Sequence, residues 1–195
     1  MIELDGGIAQ QLTDDITPSS SIQVRVGTSN AFLIIASILQ PLIQGFGMRG
    51  VYICASRGAS EIIQTLDQIG IDSSGIQFID TVSSGFIGGT ETPYPNIRYV
   101  DSPIMLESIM LQTLYHLESN TETGNFVLLD SANALSIYNE ERMLAEYLHT
   151  FINTFRAREV LTAIVNVPDQ TPPSVLANLD LYCSDLIDRG QVVIN

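Results

Sequence analysis

The chain has 195 residues, of which 45% are hydrophobic and 15% charged, and its formal net charge is −14. This length predicts one domain with a substantial core, and the apolar content excludes a disordered chain. The eight cationic side chains are all arginines scattered along the sequence. A surface this acidic repels phosphate backbones and anionic lipids, so we expect neither nucleic acid nor a membrane as a partner.

Strand and helix signals alternate along the chain after a polar N-terminal stretch. We interpret residues 1–20 as an arm or edge element closing in a turn, and residues 21–195 as a single domain. The apolar runs predict strands at 22–26, 51–55, 76–80, 97–100, 126–130 and 160–167, with a terminal pair at 181–187 and 191–194. Caps, glycines and prolines predict helices at 30–44, 59–69, 102–117, 139–158 and 172–180. This order predicts a three-layer α/β fold, a mostly parallel sheet with helices on both faces.

The sequence predicts a cytoplasmic protein. The N-terminus lacks the basic residues and apolar core of a signal peptide, and the longest apolar stretch, 31–39, is far shorter than the roughly 20 residues of a spanning helix. Cys54 and Cys183 lie in apolar runs, as expected of buried thiols in a reducing compartment. His116 and His149 fall on different predicted helices without metal-ligand spacing, so we predict no metal site.

An acid at the end of an apolar strand is the first candidate functional residue. The segment 125–130 is an apolar run that ends in Asp130 and is followed by Ser131, which is the pattern of a Walker B strand. Such an acid helps to hold Mg²⁺ beside a bound nucleotide. The alternative is a strand-end acid that is solvated or caps Ser131, and a single carboxylate is a poor magnesium site without phosphate oxygens.

A shortened loop occupies the place of a phosphate-binding P-loop. Gly27, Thr28, Ser29 and Asn30 follow the first predicted strand and precede its helix. A Walker A loop needs several glycines, a lysine for the phosphate oxygens and a Ser or Thr for the metal. One glycine is present and the chain has no lysine. The helix start stays a generic anion site, although Phe32 brings apolar bulk to it.

Together these segments resemble the RecA superfamily, and within it the KaiC-like ATPases common in archaea. The likeness extends over residues 21–194. It rests on the Gly-Thr-Ser element at 27–29, the strand and helix at 50–66 with the Ile-Gly-Ile-Asp turn at 69–72, the Asp-Ser strand at 126–135, and the strand at 160–167. The resemblance implies a RecA-like sheet, ATP with Mg²⁺ as cofactor, and assembly with neighbouring subunits.

The departures from this family predict that the chain does not hydrolyse ATP. Where active KaiC-like proteins carry two glutamates that activate water, the sequence has Ser56 and Arg57, and neither is a carboxylate base. Three interpretations of Arg57 stay open. It forms a salt bridge with Asp130 across the former catalytic site, it binds a small anion, or it is an exposed loop arginine. We expect no cofactor, with weak ATP and Mg²⁺ binding as the alternative.

The loop at 83–96 carries the candidate contact residues Phe86, Ile87 and Tyr94 between glycines and prolines. By resemblance, this region faces neighbouring subunits; the alternative is a plain long connection. We hypothesise a pseudo-ATPase that acts as a protein-interaction, scaffold or regulatory subunit. It would form a homo-oligomer, or a hetero-oligomer with a RecA/KaiC-like paralogue. The second hypothesis is a sensor that binds a nucleotide or small anion weakly at the remnant loop without hydrolysis.

Overall fold

The computed structural model describes residues 17–83, 94–118 and 124–188, together with the backbone of 191–193. Its strands are β1 (Ser21–Arg25), β2 (Arg49–Cys54), β3 (Ile76–Asp80), β4 (Ile97–Tyr99), β5 (Asn125–Asp130), β6 (Leu161–Asn166), β7 (Asp185–Asp188) and β8 (Gln191–Val193). Its α-helices are α1 (Ala31–Gln40), α2 (Ala59–Gln68), α3 (Leu106–Glu118), α4 (Ala132–Ser136), α5 (Glu141–Arg156) and α6 (Pro173–Tyr182).

The described strands form one sheet in the order β4-β3-β2-β5-β6-β1-β7-β8. Strands β1 to β7 run parallel, and β8 pairs antiparallel with β7 at one edge. Helices α1 and α2 pack on one face, and α3 to α6 pack on the other. The predicted three-layer α/β fold with a mostly parallel sheet is therefore confirmed.

The central strands are apolar throughout because both faces of the sheet are covered. In β2, Tyr52 and Cys54 contribute to the core under α1 and α2, while Val51 and Ile53 contribute to the core under α3 to α6. Every residue of β6 is buried. The uninterrupted apolar runs therefore reflect burial on two sides.

Helix α2 ends where the sequence predicts, at a glycine. Gly70 has a positive φ of 79°, a conformation that glycine adopts without steric cost. The N–H of Ile71 donates to the carbonyl of Leu66 at 3.0 Å, the bond that closes a helix in a Schellman motif. Ile71 is buried beyond the turn, so the same glycine directs the chain back to the sheet.

Two predicted boundaries were wrong for local reasons, and one helix changes type. Helix α1 ends at Gln40, and a π-helical turn (Pro41–Gly45) continues it to the predicted end, because Pro41 has no N–H for the next α-helical bond. Helix α3 begins at Leu106 rather than 102. The Met105 N–H donates a hydrogen bond to the Ser102 carbonyl at 3.0 Å, and this turn precedes the helix. The segment at 181–182, predicted as strand, completes α6.

The carboxyl ends of β1, β2, β3, β5 and β6 lie at one edge of the sheet because these strands are parallel. Ligands of open α/β sheets bind outside this edge. The topology therefore places the loop at 26–30, Asp130 and the Ser56–Arg57 pair at the carboxyl ends of the strands, where a functional site is expected. None of the described helices has the length and apolar character needed to cross a membrane.

Candidate functional site

The loop between β1 and α1 is closed on itself by one of its own side chains. It has five residues, from Val26 to Asn30. The Asn30 Oδ1 atom accepts a hydrogen bond from the Gly27 N–H at 3.2 Å, and the Asn30 N–H donates to the Gly27 carbonyl at 3.4 Å. A phosphate cradle requires backbone N–H groups that point toward the ligand, and this one is already satisfied. Thr28 and Ser29 are exposed at the tip.

The cavity beside this loop has a volume of about 380 Å³. Of the described residues that line it, Asp169 and Asp188 are acidic and Arg25 is the one cation. The Arg25 Nη2 atom is 2.5 Å from the Asp180 carboxylate. Because that guanidinium is already paired, little positive charge is left to balance a polyphosphate.

Asp130 is buried at the end of β5, with 4% of its surface exposed. Its Oδ2 atom accepts a hydrogen bond from the Tyr52 hydroxyl at 2.7 Å, and its peptide bond to Ser131 is cis. Burial raises the pKa of Asp130 from its ordinary value, while hydrogen bonds from Tyr52 and Ser56 and the charge of Arg57 act in the opposite direction. One oxygen of the Asp130 carboxylate therefore accepts a hydrogen bond from a buried tyrosine hydroxyl.

Ser131 has a structural partner. Its Oγ atom accepts a hydrogen bond from the Ala134 N–H at 3.4 Å, so that it caps the short helix α4, which the sequence pattern did not predict. The carbonyl of Asp130 accepts hydrogen bonds from the N–H groups of Ala55 and Ser56 at 2.7 and 3.1 Å. The end of β5 is therefore fixed by contacts within the chain.

Arg57 does not form the salt bridge with Asp130 that was one of its three interpretations. Its Nη1 atom lies 3.5 Å from the Glu61 carboxylate, and its guanidinium carbon lies 4.7 Å from the centre of the Phe32 ring. Glu61 is largely exposed, so the ion pair contributes little to stability. The arginine acts on Asp130 only through its charge.

Two residues important to this edge were not assigned by sequence reasoning. Asp80, buried at the end of β3, accepts hydrogen bonds from the N–H groups of Ala59, Val82 and Ser83 at 2.8 to 2.9 Å. It holds the loop before α2 in place. Tyr52, the partner of Asp130, is fully buried. The sequence features that could have identified these two residues are an acid at the end of a strand and a tyrosine within an apolar strand.

A second cavity, of about 500 Å³, lies at the carboxyl ends of β2, β3 and β5. Ser56, Asp101, Asn133 and Tyr138 are among its lining residues, whereas Asp130 is not. Within the described ranges, no three His, Cys, Asp or Glu side chains are grouped so that they could hold a metal ion. Among the described residues, the cavity therefore offers scattered polar groups.

The candidate contact loop is described only at its end. Phe86 and Ile87 lie outside the described residues. Tyr94 is half-buried and packs against the core under α1 and α2. The contact role of this loop stays a prediction.

Comparison with known proteins gives similarity in structure but not in sequence. No family model matches the sequence, and no curated protein is similar to it. A KaiC-like protein from the hyperthermophilic archaeon Pyrococcus horikoshii OT3 superposes with a TM-score of 0.61 and 15% identity, over 86% of this chain and 71% of the other. An uncharacterized Pyrococcus horikoshii protein, in complex with an unknown peptide, gives a TM-score of 0.67 and 13% identity over 94% and 83%. The chain therefore has the RecA-like α/β fold found in KaiC-like proteins.

Proposed function

We propose that this chain is a pseudo-ATPase, a non-catalytic KaiC-like domain that acts as a protein-interaction or regulatory subunit. One observation carries the proposal: the Asp130 carboxylate is buried and accepts a hydrogen bond from Tyr52 at 2.7 Å. A magnesium ion shared with a nucleotide needs carboxylate oxygens that are open to it. Displacing the tyrosine would require a change in the core, because Tyr52 is stacked on Phe78 with ring centres 5.6 Å apart.

The other parts of a nucleotide site support the same proposal. Phosphoryl transfer depends on positioned charges around the phosphates. The chain has no lysine, the Gly27 N–H is bonded to Asn30, and Ser56 and Arg57 stand where a base would be. Without a lysine, a free Gly27 N–H and a carboxylate base, the chain lacks the groups that bind, polarise and attack a γ-phosphate.

Support for a role in protein binding comes from the surface. Ten large apolar side chains are exposed among the described residues, and eight of them lie on or beside helices α3 to α6, which cover one face of the sheet: Ile104, Met105, Leu111, Tyr115, Ile137, Tyr138, Met143 and Leu181. Concentrated exposed apolar surface is typical of interaction sites. The same fold accommodates a polypeptide in the Pyrococcus horikoshii protein that is in complex with an unknown peptide. Two chains of charge −14 repel each other, which favours a different partner, such as a RecA/KaiC-like paralogue, over a homo-oligomer.

The proposal is tested by titrating the purified chain with ATP and Mg²⁺ in a calorimeter and by measuring phosphate release, with Asp130→Asn as the control. We expect no saturable heat and no phosphate above the buffer level in either protein. Hydrolysis that Asp130→Asn abolishes would overturn the proposal. The partner role is tested by recovering a tagged chain from its own cells, where we expect a stoichiometric partner. A chain that stays monomeric and recovers no partner would contradict it.

The alternative function is a sensor that binds a nucleotide or small anion without turnover. It is favoured by the cavity of about 380 Å³ beside the loop and by the exposed residues Thr28 and Ser29. Titration with ATP, and separately with inorganic phosphate, distinguishes it: saturable heat without phosphate release, weakened by Ser29→Ala, would support the sensor. Absence of heat with both ligands excludes it.

A further inference from the structure

The spacing of the helices on the face that carries the exposed apolar residues leaves a groove. Helix α5 packs closely against α6, whereas no comparable packing joins α3 to α5. The opening between them has a volume of about 450 Å³ and is lined by Glu107, Met110 and Leu111 from α3 and Glu146, Tyr147 and Thr150 from α5. We call it the α3–α5 groove. Each wall is formed by residues three and four positions apart, which share one side of a helix.

The floor of the groove is apolar and contains one unsatisfied polar group. Tyr147 packs against Phe151, with ring centres 5.6 Å apart, and its buried hydroxyl has no hydrogen-bond partner among the described residues. Burial raises the pKa of Tyr147. Because the hydroxyl oxygen is buried, the surface that Tyr147 presents to an occupant is its apolar ring.

The charge of the groove selects among occupants. Glu107 and Glu146 stand on opposite walls. Arg142 is nearby and lies 2.9 Å from Glu146, but both side chains are largely exposed and the pair is weak. An occupant with lysines or arginines beside its apolar residues gains favourable pairing at both walls. A second copy of this chain, at −14, does not.

We propose that the α3–α5 groove binds an amphipathic, basic helix of a partner protein. The inference rests on the proposed function as a partner-binding domain, and it names the surface and the chemistry of the partner. The helix places apolar residues at i, i+3, i+4 and i+7 on Met110, Leu111 and Tyr147, the mode by which helices dock into apolar grooves. The lining residues of α3 lie within Glu107–Leu111, which is about one helical turn, or about 6 Å at 1.5 Å per residue, and the exposed Tyr115 lies one turn further along α3.

The test uses a synthetic helical peptide of about three turns with leucines at i, i+3, i+4 and i+7 and lysines elsewhere. The two control peptides are a scrambled sequence of the same composition and a version with glutamates in place of lysines. Binding is measured by fluorescence anisotropy to the wild-type chain, to Leu111→Glu and to Leu181→Glu. Leu111 and Leu181 are exposed helix residues, at 65% and 72%, and only Leu111 lines the groove. The two variants add the same charge, so they share any non-specific electrostatic effect.

We expect Leu111→Glu to weaken binding by more than about tenfold, since it removes an exposed leucine that the bound peptide would cover. Leu181→Glu should stay within about twofold of wild type, because its effect is limited to the shared charge. Equal weakening by the two variants, or equal binding of the scrambled or glutamate peptide, would overturn the proposal. So would a dimer that Leu111→Glu dissociates in sedimentation, because a second copy would then be the occupant. ATP hydrolysis would instead overturn the proposed function, whatever the peptide does.

Discussion

The contact between Tyr52 and Asp130 makes a quantitative prediction about stability. Tyr52→Phe removes the hydroxyl that donates to Asp130 at 2.7 Å and keeps the ring that stacks on Phe78. Because Asp130 is 4% exposed, water does not replace the lost donor. A hydrogen bond to a charged group contributes about 1.5–3 kcal/mol. For a chain of this size that corresponds to a fall in Tm of about 3–12 °C.

The assay is urea unfolding at neutral pH, with Tyr147→Phe as the matched control. Both substitutions delete a buried tyrosine hydroxyl, but that of Tyr147 has no hydrogen-bond partner among the residues that the structure describes. We expect Tyr147→Phe to be neutral or slightly stabilising. In an Asp130→Asn background the cost of Tyr52→Phe should fall to about 0.5–1.5 kcal/mol, the value for a bond to a neutral acceptor. The reasoning is refuted if Tyr52→Phe costs no more than Tyr147→Phe.

Three further predictions concern single sites. Burial raises the pKa of Asp130, so its contribution to stability is complete below the unfolded pKa, near about 4, and is lost as pH rises through the folded pKa. The urea midpoint of Asp130→Asn should therefore rise relative to that of wild type between pH 4 and 7. A difference between the two midpoints that stays constant over this range would contradict the prediction. In Gly50→Ala the new Cβ would lie 2.6 Å from ring atoms of Phe126, whereas in the control Gly75→Ala the nearest atom would be 3.9 Å away. We expect the free energy of unfolding to fall by about 1–3 kcal/mol only for Gly50→Ala, measured by thermal unfolding. Glu159 has a positive φ of 55° after α5; Glu159→Gly should raise unfolding stability by about 0.5–1 kcal/mol, and a lower Tm would show that the turn is not strained.

The loop between β1 and α1 has features that the sequence predicts and one that only the structure shows. The missing lysine and glycines are visible in the sequence, and they predict that the loop does not bind phosphate in the usual way. The sequence does not indicate what the loop does instead. The Asn30 side chain reaches the Gly27 N–H three residues away, because a five-residue connection brings the two together in a turn. A short loop therefore satisfies its own backbone.

The sequence by itself determined the alternation of strands and helices and the parallel sheet, because apolar runs, caps and glycines act over a few residues. Gly70 ends α2, where its N–H donates to the Asp67 carbonyl and the Ile71 N–H donates to that of Leu66, and Asp130 is the last residue of its strand. The tertiary structure alone decided that Tyr52 faces Asp130, that Arg57 turns to Glu61 and Phe32, and that a groove opens between α3 and α5. Tyr52 and Asp130 are 78 residues apart, and they meet because β2 lies beside β5 with Cys54 opposite Asp130. Local patterns fix the period of each element, but strand order and register, which arise from packing the whole chain, fix which side chains meet.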